Sequence, residues 1–268
     1  MLTVHSLHIY PVKSLHGVSL PTLRFDPWGG ENDRRWLVID PEGQFITQRT
    51  HPAMATIRPT DTPYGLILET PAHERLSVSF PHDHPRSVTV WKDTMSALDA
   101  GEAAATWLSG IIGLPCRLVH MHRPDIARAR IWNEWAFHNS FSDGFPVLVT
   151  STASLGDLNH RLSHPIPMER FRPNLVIEGA EAWEEDQWVK LHIGELALTL
   201  VKPCSRCVMT SVDQDTGERP DRAEPLRTLA TFRRQTDGIM FGQNALIERV
   251  GQVSVGDTVE VVETRQVP

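Results

Sequence analysis

Cysteine, positive net charge and long apolar runs are all scarce in this chain, and each scarcity excludes a class of protein. Three cysteines in 268 residues leave one over in any pairing, so a secreted disulfide framework is not expected. A formal net charge of -7 has the wrong sign for a nucleic-acid binder, which shows a basic face. No apolar run approaches the ~20 residues that span a bilayer, so no membrane partner is expected. The start, Met1-Leu2-Thr3-Val4-His5, lacks the basic-then-apolar layout of a signal peptide. No Gly-rich phosphate loop or dinucleotide fingerprint is present, and a nucleotide is therefore not the natural ligand. The expectation is a reduced, cytoplasmic protein, long enough to bury a sizeable core.

What the chain has in quantity is short alternating runs. Val4 to Tyr10, Trp36 to Asp40, Phe45 to Thr47, Gly65 to Leu68, Leu76 to Phe80 and Ser87 to Trp91 all read as strands. Their even spacing and Gly/Pro turns predict a small barrel or sandwich up to about Val90. The period then changes. Between Asp99 and Gly113, Ala104, Trp107, Leu108 and Ile111 share one helical face, and Gly113 with Pro115 marks the stop. That helix sets the expected boundary, with one domain over 1–95 and the helix plus a second domain over 96–268. Arg123 to Phe141 carries Trp132 and Trp135 without a clear period and reads as a long irregular loop, its tryptophans packed on the barrel. Beyond it lie strands at Phe145 to Thr150, Leu175 to Ile177 and Val189 to Ile193, and a helix bearing Leu155, Leu158 and Leu162. The fold class expected is mainly β (α+β), with an N-terminal β-barrel-like domain packed on a second β-barrel and a few short helices.

The chemistry concentrates after the alternating run Leu196 to Val201, in Lys202-Pro203-Cys204-Ser205-Arg206-Cys207. Pro203, lacking an N–H, is expected to end that strand. An extended pattern should resume through Val208, Thr210 and Val212 and turn at Asp215-Thr216-Gly217. Cations at Lys202 and Arg206 favour thiolate. Four readings of Cys204 and Cys207 stand open: half a zinc set, a redox dithiol, one thiolate on a soft metal, or two cysteines packed at a strand end. The zinc set lacks its other half, since Cys116 is distant in sequence and His82-Asp83-His84 sits in a Pro-flanked turn. The dithiol lacks the βαβ pattern that accompanies it. Polar clusters also stand at strand ends: Tyr10-Pro11-Val12-Lys13-Ser14, Asp33-Arg34-Arg35-Trp36 and Arg170-Phe171-Arg172-Pro173-Asn174. Together they offer Arg forks, a Lys point charge and an amide suited to a phosphate on a hydrogen-bonding heterocycle.

Lys202 to Asp213, with Asp215-Thr216-Gly217, resembles the signature of the MOSC domain, the molybdenum-cofactor sulfurase C-terminal module. Phe171-Arg172-Pro173-Asn174 and Val255-Gly256-Asp257 sit where that family has them. Ile9 to Ser14 and Asp33 to Val38 resemble the N-terminal β-barrel that precedes it in the mitochondrial amidoxime-reducing proteins and their bacterial relatives. The resemblance implies a molybdenum-cofactor (molybdopterin) enzyme that reduces hydroxylamines, amidoximes and N-hydroxylated bases to amines. Its electrons would come from a separate ferredoxin, flavodoxin or cytochrome, with that donor's reductase. It implies Cys207 as the thiolate on molybdenum, with Cys204 not a ligand. Lys13, Ser14, Arg34, Arg172, Asn174, Ser205 and Arg206 match positions that hold the pterin and its phosphate. Asp143 matches an acidic residue beside the metal, where it could shuttle a proton. Two departures fall in the substrate pocket. Gly144 and Phe145 follow Asp143 where small hydroxylated residues are usual, and Asn244 replaces a tyrosine of eukaryotic members among the cofactor-facing positions. Pyridoxal phosphate is not expected. The alternative is a protein that carries the cofactor, or its sulfur, without turnover.

Overall fold

The computed structural model describes residues 1–266. Leu196, Leu198 and Leu200 are fully buried on the strand Leu196–Ser205, and the largest sheet forms around it. Its nine strands follow the order Val18–Leu20, Thr3–Ile9, Leu175–Glu178, Val147–Ser151, Gly238–Arg249, Leu196–Ser205, Trp188–Ile193 and Glu260–Thr264, with Arg234–Gln235 beside Gly238–Arg249. One pair is parallel, Val147–Ser151 with Leu175–Glu178, and the crossover between them contains the helix Thr152–Arg161. Ser151 caps that helix, its hydroxyl accepting the Ser154 N–H. Val4, Leu7, Val149, Ile177, Trp188 and Leu191 close the core beneath the sheet.

Strands from before residue 30 pair with strands from after residue 170. Thr3–Ile9 runs antiparallel to Leu175–Glu178, and Thr22–Asp26 pairs with Gly251–Ser254. The two β-rich parts therefore share sheets. The rest of the N-terminal part builds a four-stranded sheet (Trp36–Ile39, Arg117–His120, Asp93–Asp99, Pro85–Val90) and a three-stranded one (Arg58–Thr62, Gly65–Glu69, Arg75–Ser79). The helix Glu102–Ile112 packs Ala104 and Leu108 inward, as its period predicts, and ends at Gly113 with φ 82°.

Three local expectations are overturned. Pro203 does not end its strand, which runs on to Ser205. Register shifts on either side of Pro203 accommodate the missing donor. After Cys207 the chain enters a 3₁₀ turn, Val208–Ser211, in place of an extended run. The stretch from Arg123 to Phe141 is not irregular either. It holds a short helix, Pro124–Ala127, and a hairpin of Ala129–Trp132 with Trp135–His138. The hairpin turns on Asn133, whose φ of 50° asparagine tolerates. No helix among the described residues is long and apolar enough to cross a membrane.

Candidate functional site

All ten residues singled out by the sequence line one cleft of about 280 Å³: Lys13, Ser14, Arg34, Asp143, Arg172, Asn174, Ser205, Arg206, Cys207 and Asn244. Asp143 comes from the loop after Phe141 and Asn244 from the strand Gly238–Arg249, and four other places in the chain bring the rest. The end of the first strand brings Lys13 and Ser14, and the turn before Trp36 brings Arg34. The 3₁₀ segment Met168–Phe171 delivers Arg172, and the end of Leu196–Ser205 delivers the cysteine loop.

The backbone shows the constraint. Ser14, Arg34 and Arg172 all adopt left-handed conformations, at φ 66°, 52° and 56°. Such residues cost of order 1–3 kcal/mol each and collect at functional sites. Backbone contacts hold them in place: the Arg34 N–H donates to Tyr10 O and the Phe141 N–H to Arg34 O. The Tyr10 ring lies between two guanidinium groups, Arg34 at 4.5 Å and Arg172 at 4.1 Å from its centroid.

Seven cations line the cleft (Lys13, Arg34, Arg49, Arg170, Arg172, Lys202, Arg206) against a single carboxylate, Asp143, on a chain of net charge -7. Several are paired. Arg34 meets Asp33, Arg170 meets Asp213, and Lys13 and Arg49 both meet Asp143. Arg172 is different. It is 7% exposed, and Nη1 donates to Leu15 O at 2.7 Å and Gln214 Oε1 at 3.3 Å. Its Nη2 is buried without a hydrogen-bond partner among the described residues, as are Ser14 Oγ and Arg206 Nε. Burial pulls the Arg172 guanidinium down to about 10. A buried cation with no direct carboxylate partner among the described residues is incomplete without an anion.

Lys13 and Asp143 form the second feature. Lys13 Nζ donates to Phe141 O at 2.7 Å and to Asp143 Oδ1 at 2.5 Å. Burial pulls the Lys13 ammonium down to about 8, with Asp143 opposing. Burial pushes the Asp143 carboxyl up, but the Lys13 and Arg49 charges outweigh this and hold it well below the ordinary carboxylate range. Half of the Asp143 side chain stays open to the cleft. Trp91 Nε1 adds a hydrogen bond to it at 3.0 Å.

The cysteine loop carries the third. Arg206 donates through Nη2 to Phe171 O at 2.6 Å and through Nη1 to Cys204 Sγ at 2.9 Å. Burial disfavours the Arg49 charge, but Asp143 and the Cys207 sulfur outweigh it and raise its pKa. Cys116 is buried in a different core, packed with Leu108 and Leu118, and hydrogen-bonds Ser109. Asn174 is largely spent inside the protein: Oδ1 accepts from Arg34 Nη1 and the Leu148 N–H, and Nδ2 donates to His8 O. Asn244 likewise donates to Pro203 O at 3.3 Å. Sequence reading missed Arg49, which sits in Thr47-Gln48-Arg49-Thr50 without periodicity or motif. Its loop is clamped by Arg219, whose Nη2 donates to the carbonyls of Gln48 and Arg49.

Residues 1–115 match the family described as MOSC N-terminal beta barrel domain, and residues 137–260 match the MOSC domain. Mitochondrial amidoxime-reducing component 1 of Homo sapiens is 36% identical over 286 residues, covering 96% of this chain and 82% of the relative. The chain belongs to the amidoxime-reducing component family. Component 2 of Bos taurus is 33% identical over the same share of this chain. The molybdenum cofactor sulfurase of Oryza sativa subsp. japonica is 34% identical over 88% of this chain, which spans 31% of that longer protein.

Proposed function

We propose that this chain binds molybdenum cofactor in the cationic cleft and reduces N-hydroxylated small molecules to amines. The observation that carries the reading is the set of buried donors without partners, Arg172 Nη2, Ser14 Oγ and Arg206 Nε, in a cleft with seven cations and one acid. These residues fit an anionic, hydrogen-bonding cofactor tail. Arg172, Arg34 and Ser14 would hold the phosphate and pterin, with Ser205 and Arg206 alongside, while Asn174 keeps Arg34 aimed. Cys207 would provide the soft thiolate that holds the metal. Names of relatives support the same reading, since one set is named for amidoxime reduction and another for the molybdenum cofactor.

The bound cofactor would supply the two-electron chemistry that breaks the N–O bond. Overall, two electrons and two protons convert the N–OH group to N–H and water. This chain's part is to orient the N–OH group and deliver protons. Family resemblance assigns the proton shuttle to Asp143. A carboxylate kept anionic between two cations is a poor donor near neutrality. Lys13, whose ammonium titrates at about 8, is the better proton source, and Asp143 steers it. The electrons would come from a separate ferredoxin, flavodoxin or cytochrome with its reductase, and we place the protein in the cytoplasm.

The test uses protein purified from a host that makes the cofactor. Molybdenum content near one per chain, and amine formed from a hydroxylamine under a chemical reductant, are expected. Molybdenum without amine would favour a carrier of the cofactor or its sulfur, which the sulfurase relative makes a real second reading. Absence of molybdenum would overturn both.

A further inference from the structure

We propose that an aromatic hollow beside the cleft is the subsite for a flat ring carried by the N-hydroxylated substrate. This rests on reading the cleft as the reducing centre and names the kind of molecule that centre takes. The hollow measures about 440 Å³, within the range of small-molecule sites. It shares Asp143, Gly144 and Phe145 with the cleft, so the two spaces are continuous.

The walls are planar and fixed. Phe137 stacks on Phe145 at 5.5 Å with 17° between planes, and Trp132 meets Phe145 edge-on at 5.8 Å and 82°. Lys202 Nζ sits 4.4 Å from the Trp132 ring centroid, which ties the hairpin tip to the strand that carries Cys204. The hairpin base is pinned by Arg128, 2% exposed, which donates to Ser140 O and Ser142 O and pairs with Asp93. Arg128 thereby ties the loop bearing Asp143 to the hairpin bearing Phe137. Ile131 is 81% exposed and Trp91 50% exposed at the same hollow, apolar surface left to water where a ligand would cover it.

Position gives the chemistry. A ring lying on Phe145 shares its hollow with Asp143, so its substituent can point to the junction where Asp143 meets Lys13. Asp143 already accepts from Lys13, Arg49 and Trp91, so a neutral N-hydroxylated head group suits the junction better than a second anion. Aromatic contacts beyond area burial are enough to prefer a ring over a methyl group by roughly two- to tenfold.

The experiment pairs 2-naphthamidoxime with acetamidoxime. In saturation-transfer NMR on the oxidised holoprotein without reductant, strong saturation of the naphthyl protons is expected. It should weaken in Phe137→Ala and in Ile131→Glu, the second being a surface change that spares the fold. In turnover, the ratio of kcat/KM for the naphthyl over the methyl substrate should fall roughly two- to tenfold in the variants. No ring saturation in the parent protein, or a parallel fall for both substrates, overturns the subsite. If neither compound is reduced, the reductase reading fails, and the NMR result alone decides the ring site.

Discussion

Raising the pH from about 7 to about 9 should silence proton delivery from Lys13. With an ammonium pKa of about 8, the protonated fraction falls from about 0.9 to about 0.1, so kcat should drop about tenfold across that interval. The direction follows from the donor being the charged form, present below the pKa and lost above it. Burial alone would set this pKa lower, and the Asp143 carboxylate at 2.5 Å holds it up. Asp143→Asn removes that charge. The loss of an adjacent opposite charge moves a pKa by roughly 1–3 units, so the inflection should shift to roughly pH 5–7. Lys13→Arg keeps the charge on a group that stays protonated throughout, and its profile should be flat up to about pH 9. The assay is steady-state reduction of a hydroxylamine by a reduced viologen, whose potential does not vary with pH. Titration of Cε-labelled lysine by NMR gives the same pKa without turnover. An inflection that ignores Asp143→Asn, or persists in Lys13→Arg, would refute the assignment.

Other consequences can be checked directly. Cys207→Ser should abolish molybdenum retention, whereas Cys204→Ser should leave most of it, and equal loss from both would point to a dithiol or zinc site. Arg172→Met removes the buried cation that has no direct carboxylate partner among the described residues, and the lost charge-assisted bonds, about 1.5–3 kcal/mol, should cut the molybdenum-to-protein ratio after dialysis while the thermal midpoint holds. Leu198→Ala opens a cavity under the large sheet and should cost about 2–5 kcal/mol in urea unfolding, with kcat per folded molecule unchanged.

Much of the site was legible because its residues stand in compact runs. Lys202 to Cys207, Arg170 to Asn174 and Tyr10 to Ser14 each put several cleft-lining residues on one strand end, and a strand end is where side chains converge. Arg49 was not legible, since it reaches the cleft from a loop whose position depends on Arg219, 170 residues on. The left-handed backbone of Arg34 and Arg172 was equally hidden, because neither is a residue type that announces it. Periodicity found the helix Glu102–Ile112 but not the hairpin from Ala129, where four-residue strands are too short to show alternation. Pro203 misled for the opposite reason: a rule about ladder donors was right locally, yet bulges on both sides let the strand continue.

The pairing of Thr3 with Glu178 has a temporal consequence. A ribosome releases the opening strand first, yet its neighbour emerges only near residue 178. Until then the opening segment can pair only with Val18–Leu20 on one edge, and the lysine and serine just behind it lack the partners that fix them. Assembly of the cleft, whose lining runs from Lys13 to Asn244, is thus deferred until nearly the whole polypeptide exists.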